Sequence, residues 1–379
     1  MDIRACLVTF ASVMNIDSRS LEPLWGERQV RILAGPCSAE SREQTMATAL
    51  ALAEAGVQVF RAGVWKPRTK PGGFEGMGEP ALRWLREVKR RTGMAVATEV
   101  ASAAHLRLCM HAGIDAVWLG ARTVANPFAV QEIADAFAAM SPEARDSVAV
   151  MVKNPVNPDI ELWIGAIERL LAAGVRRLAA IHRGFSSYGE RYYRNAPMWR
   201  IPIELHRRCP ALPLYCDPSH IAGRSSLVGP LAQTAMDMEF DGLIIECHCN
   251  PGLALSDSAQ QITPAALAGL IKTLRANRRA NTGDIVLEEC RRAIDSIDDE
   301  LMELLARRMQ VAREIGRIKT ENAMPVVQPQ RYRQLIEKRL AEADRLRLDP
   351  AFVRQFLAVL HEESVRQQIE RDSSPTDNF

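Results

Sequence analysis

The 379-residue chain lacks any run of ~18 apolar residues, so no segment is a candidate for crossing a bilayer as a helix. It also lacks a charge imbalance. Its 48 basic side chains are matched by 46 acidic ones, leaving +2, and this argues against nucleic acid as a partner. The eight cysteines form no compact framework, so disulfides are not expected and reduced thiols point to the cytoplasm. A Gly-rich dinucleotide turn is missing after the first strand-like run, which speaks against a doubly wound nucleotide-binding sheet. The opening Met1–Ile16 has a short apolar patch, a weak basic start and no clear cleavage site. Residues 1–27 are therefore read as an N-terminal extension, with Met14 as an alternative start.

What the chain does have is alternation. Short β-branched or apolar runs recur at Val30–Ala34, Val57–Ala62, Ala95–Val100, Ala116–Gly120, Val148–Val152, Leu178–Ile181, Leu212–Cys216 and Gly242–Glu246. Amphipathic helical stretches separate them. Eight such units predict an α/β fold, a (β/α)8 TIM barrel over residues 28–274.

The strand ends carry unusual residues. In order come Cys37, Arg61 with Lys66 and Arg68, Glu99, Arg122, Lys153, Arg183, Asp217 with His220, and Glu246. A single such cation is ordinarily a solvated surface charge. Six at or just beyond four strand ends would instead form a positive pocket for a polyanion, since barrel strands all end on one face. Cys37, His220, Glu246 and Asp257 make a soft-to-anionic set able to hold one divalent transition metal. Cys247-His248-Cys249 is a rival, but strand alternation puts the two cysteines opposite Glu246 and His248, so both are read as packing residues.

Taken together the motifs resemble a known family. Gly35-Pro36-Cys37-Ser38, Lys66-Pro67-Arg68-Thr69, Gly120-Ala121-Arg122-Thr123, Lys153-Asn154-Pro155, Arg183-Gly184, Asp217-Pro218-Ser219-His220, Ile245-Glu246 and Leu255-Ser256-Asp257 stand in the order found in compact bacterial 3-deoxy-D-arabino-heptulosonate 7-phosphate synthases. The resemblance implies Cys37, His220, Glu246 and Asp257 as ligands of one divalent metal ion (Mn, Fe, Co or Zn). It implies Arg61, Lys66, Arg122, Lys153 and Arg183 as a phosphoenolpyruvate clamp, with Ala121 beside it. Lys66, Pro67, Arg68 and Thr69 would cradle erythrose 4-phosphate, and Glu99 would lie near the reacting enol. The related octulosonate synthases carry an Asn-rich segment in place of Lys-Pro-Arg-Thr, which favours the four-carbon aldose.

Beyond Arg275–Asp284, a polar and basic linker, glycine nearly vanishes and the pattern turns helical. Ile294, Leu301, Arg308 and Ile315 recur every seventh residue, flanked by Ile297, Leu304, Val311 and Ile318. This predicts one helix of about 35 residues, ~50 Å long, which exceeds a small domain and calls for a partner subunit. Two more helices are expected at Gln330–Leu346 and Pro350–Arg371, giving an all-α three-helix domain over 285–371 and a disordered tail at 372–379. Arg308 interrupts an apolar row, Lys319 lies three turns on, and Ser364 and Gln368 extend the stripe of Phe356 and Leu360. Polar groups at core positions need a reason; an oligomer-specifying layer is one and a ligand site is another.

This segment resembles the helical chorismate mutases. The resemblance implies Arg291, Arg308, Lys319, Arg331, Ser364 and Gln368 as chorismate/prephenate-binding residues, with Lys319 and Gln368 as the donors to the ether oxygen. Arg291 would reach into the partner's site of a homodimer. Gln328 and Tyr332 depart from the family, which has Asp and Glu there. Two readings of the whole chain follow: a bifunctional, allosterically coupled enzyme, or a synthase with a non-catalytic helical tail for regulation and dimerisation.

Overall fold

The computed structural model describes residue 21 and residues 31–66, 72–188, 192–274 and 285–369, with backbone alone for 285–290. The expected linker and tail, and the extension apart from Leu21, lie outside the described residues. The chain divides between Arg279 and Ala280 into two compact units.

The first unit is a closed parallel barrel. Its strands are β1 (Arg31–Gly35), β2 (Val59–Arg61), β3 (Ala95–Val100), β4 (Ala116–Leu119), β5 (Ala149–Lys153), β6 (Leu178–His182), β7 (Leu214–Cys216) and β8 (Gly242–Glu246). Each pairs with the next, and β8 closes on β1 from Arg31↔Gly242 to Gly35↔Glu246. The eight expected runs fall on these strands with small shifts at their ends. Helices between them begin at side-chain caps, as at Ser41, Ser102, Asn126 and Asp159, which satisfy first-turn amides that would otherwise lack acceptors.

Side chains alternate along a strand, so one set fills the barrel and the other meets the helices. Leu33, Val59, Ala97, Trp118, Met151, Ile181, Tyr215 and Ile244 are buried together inside the barrel with Leu21. Their outward neighbours, such as Phe60, Val96, Val150 and Leu243, join the larger core against the helices. Two residues further along each strand, the same inward face presents Gly35, Arg61, Glu99, Gly120, Lys153, Arg183, Asp217 and Glu246. The barrel's apolar filling thus ends in a charged layer, placed by the pleat for Arg61, Glu99, Lys153 and Glu246 and by the first residue past the strand for Arg183 and Asp217. The glycines in that layer leave room. A Cβ at Gly120 would lie 2.3 Å from Glu99 Oε1.

The second unit has three helices, Ile285–Glu321, Pro329–Arg345 and Pro350–Ile369. The first holds 37 residues, close to the length read from the heptad pattern. Among the described residues no helix is long and apolar enough to cross a membrane.

Candidate functional site

The charged layer is largely paired. Arg61 Nη1 lies 2.9 Å from Glu246 Oε1 and Lys153 Nζ 2.9 Å from Asp217 Oδ2, all four buried. Trp118 sits beneath both cations, its ring 4.7 Å from the Arg61 guanidinium carbon and 5.8 Å from Lys153 Nζ, and its indole N–H donates to Glu99 Oε2 at 2.9 Å. The apolar interior therefore orients the charged layer as well as supporting it. Burial alone would raise the Asp217 carboxyl, but His220 and Lys153 hold it well below the usual carboxylate range.

Above this layer opens a cavity of about 550 Å³, with Lys66, Glu99, Ala121, Arg122, Lys153, Arg183, Arg194, His220 and Asp257 among its lining. Arg61 does not line it; the guanidinium lies against Glu246 and the Pro36 carbonyl. Pro67, Arg68 and Thr69 fall outside the described residues. Burial brings the Arg183 guanidinium down to about 10; Asp217 opposes this, while the nearby Arg194 and Arg122 add to it, because neither desolvation nor like charges favour its proton. Its backbone N–H donates to Asn154 Oδ1 (2.7 Å) and its Nη1 to Asn195 Oδ1 (2.8 Å), so it is held in place.

At one side of the cavity the donor atoms of Cys37, Glu246 and Asp257 all lie within 4.8 Å of one another. His220 Nε2 lies 3.8 Å from Glu246 Oε1, and its Nδ1 2.8 Å from Asp217 Oδ2. An outer carboxylate on the second ring nitrogen is the arrangement that orients metal-bound imidazoles. Burial, and next the Glu246 charge, push the Cys37 thiol up to about 12. The thiol donates to Asp257 Oδ2 at 3.3 Å and accepts from Lys66 Nζ at 2.9 Å. One sulfur, one imidazole and two carboxylates converging in a largely buried site suit a borderline transition metal, which would displace that thiol proton.

Neighbouring segments hold these groups by bonds that sequence reading missed. Gln261 Oε1 accepts from Cys37 N (2.9 Å), Ser219 Oγ from Glu246 N (2.9 Å), and Gln260 Nε2 donates to Glu246 Oε2 at 2.6 Å. Arg194 was missed as well. It sits in a loop, where no periodicity marks a functional side chain. One expectation is corrected: Cys247 is buried in the core, but Cys249 is exposed. β8 ends at Glu246, so strand alternation no longer governs residue 249.

In the helical unit, Arg308 donates to the Leu360 carbonyl at 3.2 Å and to Ser364 Oγ. Lys319 Nζ donates to Gln368 Oε1 at 2.9 Å and to the Val326 carbonyl at 2.6 Å. The polar interruptions of the stripe thus meet one another. Tyr332 stacks on His361 with ring centroids 4.0 Å apart. His361 precedes Ser364 and Gln368 by three and seven positions, on the same helix face. Arg331 is exposed at the start of the second helix. Arg291 is not brought to this cluster, since 17 residues of helix separate it from Arg308, ~25 Å of rise.

Gly316 makes the cluster close. It costs the long helix ~1 kcal/mol relative to alanine, but a Cβ there would come within 2.7 Å of Gln368 Cα. Gly316→Ala is therefore expected to push the third helix off the first and draw Gln368 away from Lys319. Ligand turnover at this cluster should fall well over tenfold while the barrel's activity is unchanged; paired assays on one preparation check it.

Comparison with known proteins places both units. Residues 22–280 match the model of the DAHP synthetase I family, and residues 290–369 that of chorismate mutase type II. The Phospho-2-dehydro-3-deoxyheptonate aldolase of Thermotoga maritima is 33% identical over 251 residues, 66% of this chain and 70% of that protein. A crystal structure of the Thermotoga maritima enzyme superposes with a TM-score of 0.58 at 32% identity, covering 68% of this chain and 74% of that one. A bifunctional chorismate mutase/prephenate dehydratase of Aquifex aeolicus is 43% identical over 52 residues, 14% of each chain.

Proposed function

Because the chain belongs to the DAHP synthetase I family and ends in a chorismate mutase type II domain, we propose that it is a bifunctional enzyme joining two steps of aromatic biosynthesis. In the barrel, phosphoenolpyruvate, D-erythrose 4-phosphate and water give 3-deoxy-D-arabino-heptulosonate 7-phosphate and inorganic phosphate. In the helical unit, chorismate rearranges to prephenate. The observation that carries the first reaction is the cavity in which Arg122, Lys153 and Arg183 stand beside the Cys37, His220, Glu246 and Asp257 donor set.

Two phosphates and a carboxylate must be held side by side, and only an excess of cations in a low-dielectric site offsets their repulsion. Arg122, Lys153 and Arg183 supply fixed positive charge for the enol phosphate and its carboxylate, with the Lys66 ammonium and Arg68-Thr69 serving the aldose phosphate. A divalent Mn, Fe, Co or Zn ion held by the four donors would supply Lewis acidity to the aldehyde oxygen. Glu99, fixed by Trp118, lines the same cavity and offers an acceptor for the water that adds to the enol. The protein's main work is to fix reacting carbons near one another and exclude bulk water.

The mutase reaction needs no nucleophile and no metal. Arg308 fixes a carboxylate, and Lys319 with Gln368 stabilises charge growing on the ether oxygen. Arg291 and Arg331 complete the site, Arg291 from the partner of a homodimer. The long helix leaves Ile294, Ile297, Leu301, Leu304 and Val311 exposed, an apolar row that a second copy would cover. Leu301→Asp together with Leu304→Asp is expected to convert dimer to monomer in sedimentation analysis and to abolish mutase turnover; a persisting dimer would remove this part of the reading.

Steady-state assays test the pair of activities. Turnover with erythrose 4-phosphate should exceed that with arabinose 5-phosphate, and chorismate should be consumed by the same protein. A helical unit that binds prephenate without turning chorismate over would favour the regulatory-tail reading instead. In the same assay, added prephenate is expected to change the synthase rate, as allosteric coupling between the domains requires.

A further inference from the structure

Arg194 is a cation that the substrate clamp described above does not use. Its backbone N–H donates to the Ile221 carbonyl at 3.0 Å, and that of Asn195 to the same carbonyl at 3.2 Å, pinning this loop to the helix that carries His220. Gly223, at φ +68°, makes room for it: a Cβ there would lie 2.4 Å from Arg194 Cβ. The side chain then reaches toward the metal-ligand carboxylates. Nη1 lies 3.2 Å from Asp257 Oδ1 and donates to Gln260 Oε1 at 2.5 Å. Gln260, almost fully buried, passes the contact on to Glu246 Oε2 at 2.6 Å.

The other guanidinium donors, Nε and Nη2, make no hydrogen bond among the described residues. The side chain lines the same cavity as Arg122 and Arg183 and is 43% exposed. One nitrogen is thus occupied by a carboxylate with a second claim on it, and a planar fork of donors remains available to an anion.

We propose that Arg194 is a substrate-anion ligand that stands on Asp257 until a cation takes that carboxylate, and then turns its charge to the phosphate or carboxylate of a bound substrate. The inference rests on the synthase reading and adds to it an exchange between the two sites. Asp257 cannot fully neutralise both a divalent ion and Arg194. When the ion claims it, the guanidinium is left with uncompensated charge in a cavity already crowded with cations, and an anionic ligand relieves this. By linkage, each ligand then strengthens the other's binding.

The test measures binding, not turnover. Affinities for phosphoenolpyruvate (by calorimetry) and for Mn²⁺ (by equilibrium dialysis) are compared in the full-length protein and in Arg194→Met and Arg194→Lys. Losing charge-assisted hydrogen bonds should weaken phosphoenolpyruvate by about tenfold or more in R194M, with partial recovery in R194K. Mn²⁺ affinity without phosphoenolpyruvate should be unchanged or higher, because a competitor for Asp257 is gone. Unchanged phosphoenolpyruvate affinity in R194M overturns the proposal. So does a tenfold loss of Mn²⁺ affinity, which would make Arg194 only a support for the ligands. If R194M does not fold by circular dichroism, R194K decides alone: phosphoenolpyruvate affinity equal to that of the unsubstituted protein overturns the proposal. Failure of the unsubstituted protein to bind phosphoenolpyruvate at all would sink the synthase reading itself.

Discussion

Glu246→Gln is expected to abolish synthase turnover and to destabilise the barrel, while chorismate turnover survives as long as the protein stays folded. The amide is a poor ligand for a transition metal. Even outer-shell partners of metal sites cost ~10–100-fold when removed, so a lost first ligand should cost at least the upper end of that range. The same change removes the buried counter-charge of Arg61, 2.9 Å away, and an uncompensated buried charge costs about 3–5 kcal/mol. Two measurements check this: denaturant unfolding followed in the barrel, and synthase rates before and after dialysis against a chelator. In the unsubstituted protein chelation should remove synthase activity and added Mn²⁺ should restore it. In E246Q added Mn²⁺ should do nothing. A synthase rate that survives chelation would end the metal-dependent reading, while mutase turnover should be indifferent to it.

Arg308→Met carries the complementary expectation. The substitution keeps an apolar stem at a heptad position and removes the guanidinium that bonds the Leu360 carbonyl and Ser364. Stability should change little, because the polar group it leaves behind, the Ser364 hydroxyl, also donates to Leu360 O at 2.6 Å. Chorismate kcat/KM should fall about 10²-fold, as expected when a buried charge-assisted contact that positions the substrate carboxylate, worth about 1.5–3 kcal/mol, is lost. Synthase turnover should hold. If kcat/KM for chorismate stays within threefold of the unsubstituted value, Arg308 does not bind the substrate and the site assigned around it is wrong. Tyr332 and His361 are stacked beside this cluster.

Local chemistry made much of this legible in the sequence. Apolar runs separated by helical stretches specify strand, helix and closure into a barrel, because side-chain periodicity and caps act over a few residues. The charged layer follows from the same rule, since Arg61, Glu99, Lys153, Asp217 and Glu246 each stand two positions beyond an inward apolar residue. Heptads likewise gave the long helix, and its polar interruptions marked a site. The pairings were decided only by the tertiary structure. Cys37 and Asp257 are 220 residues apart and meet only because the barrel closes. Arg61 turns to Glu246 and leaves the cavity lining, and Arg194 from a loop and Gln260 from a single 3-10 turn join the site from segments too short to show a period. Cys249 escaped the core because alternation ends where the strand does. Periodicity tells which face a residue takes; which partner it finds there depends on chain segments brought together by folding, and no short-range rule carries that information.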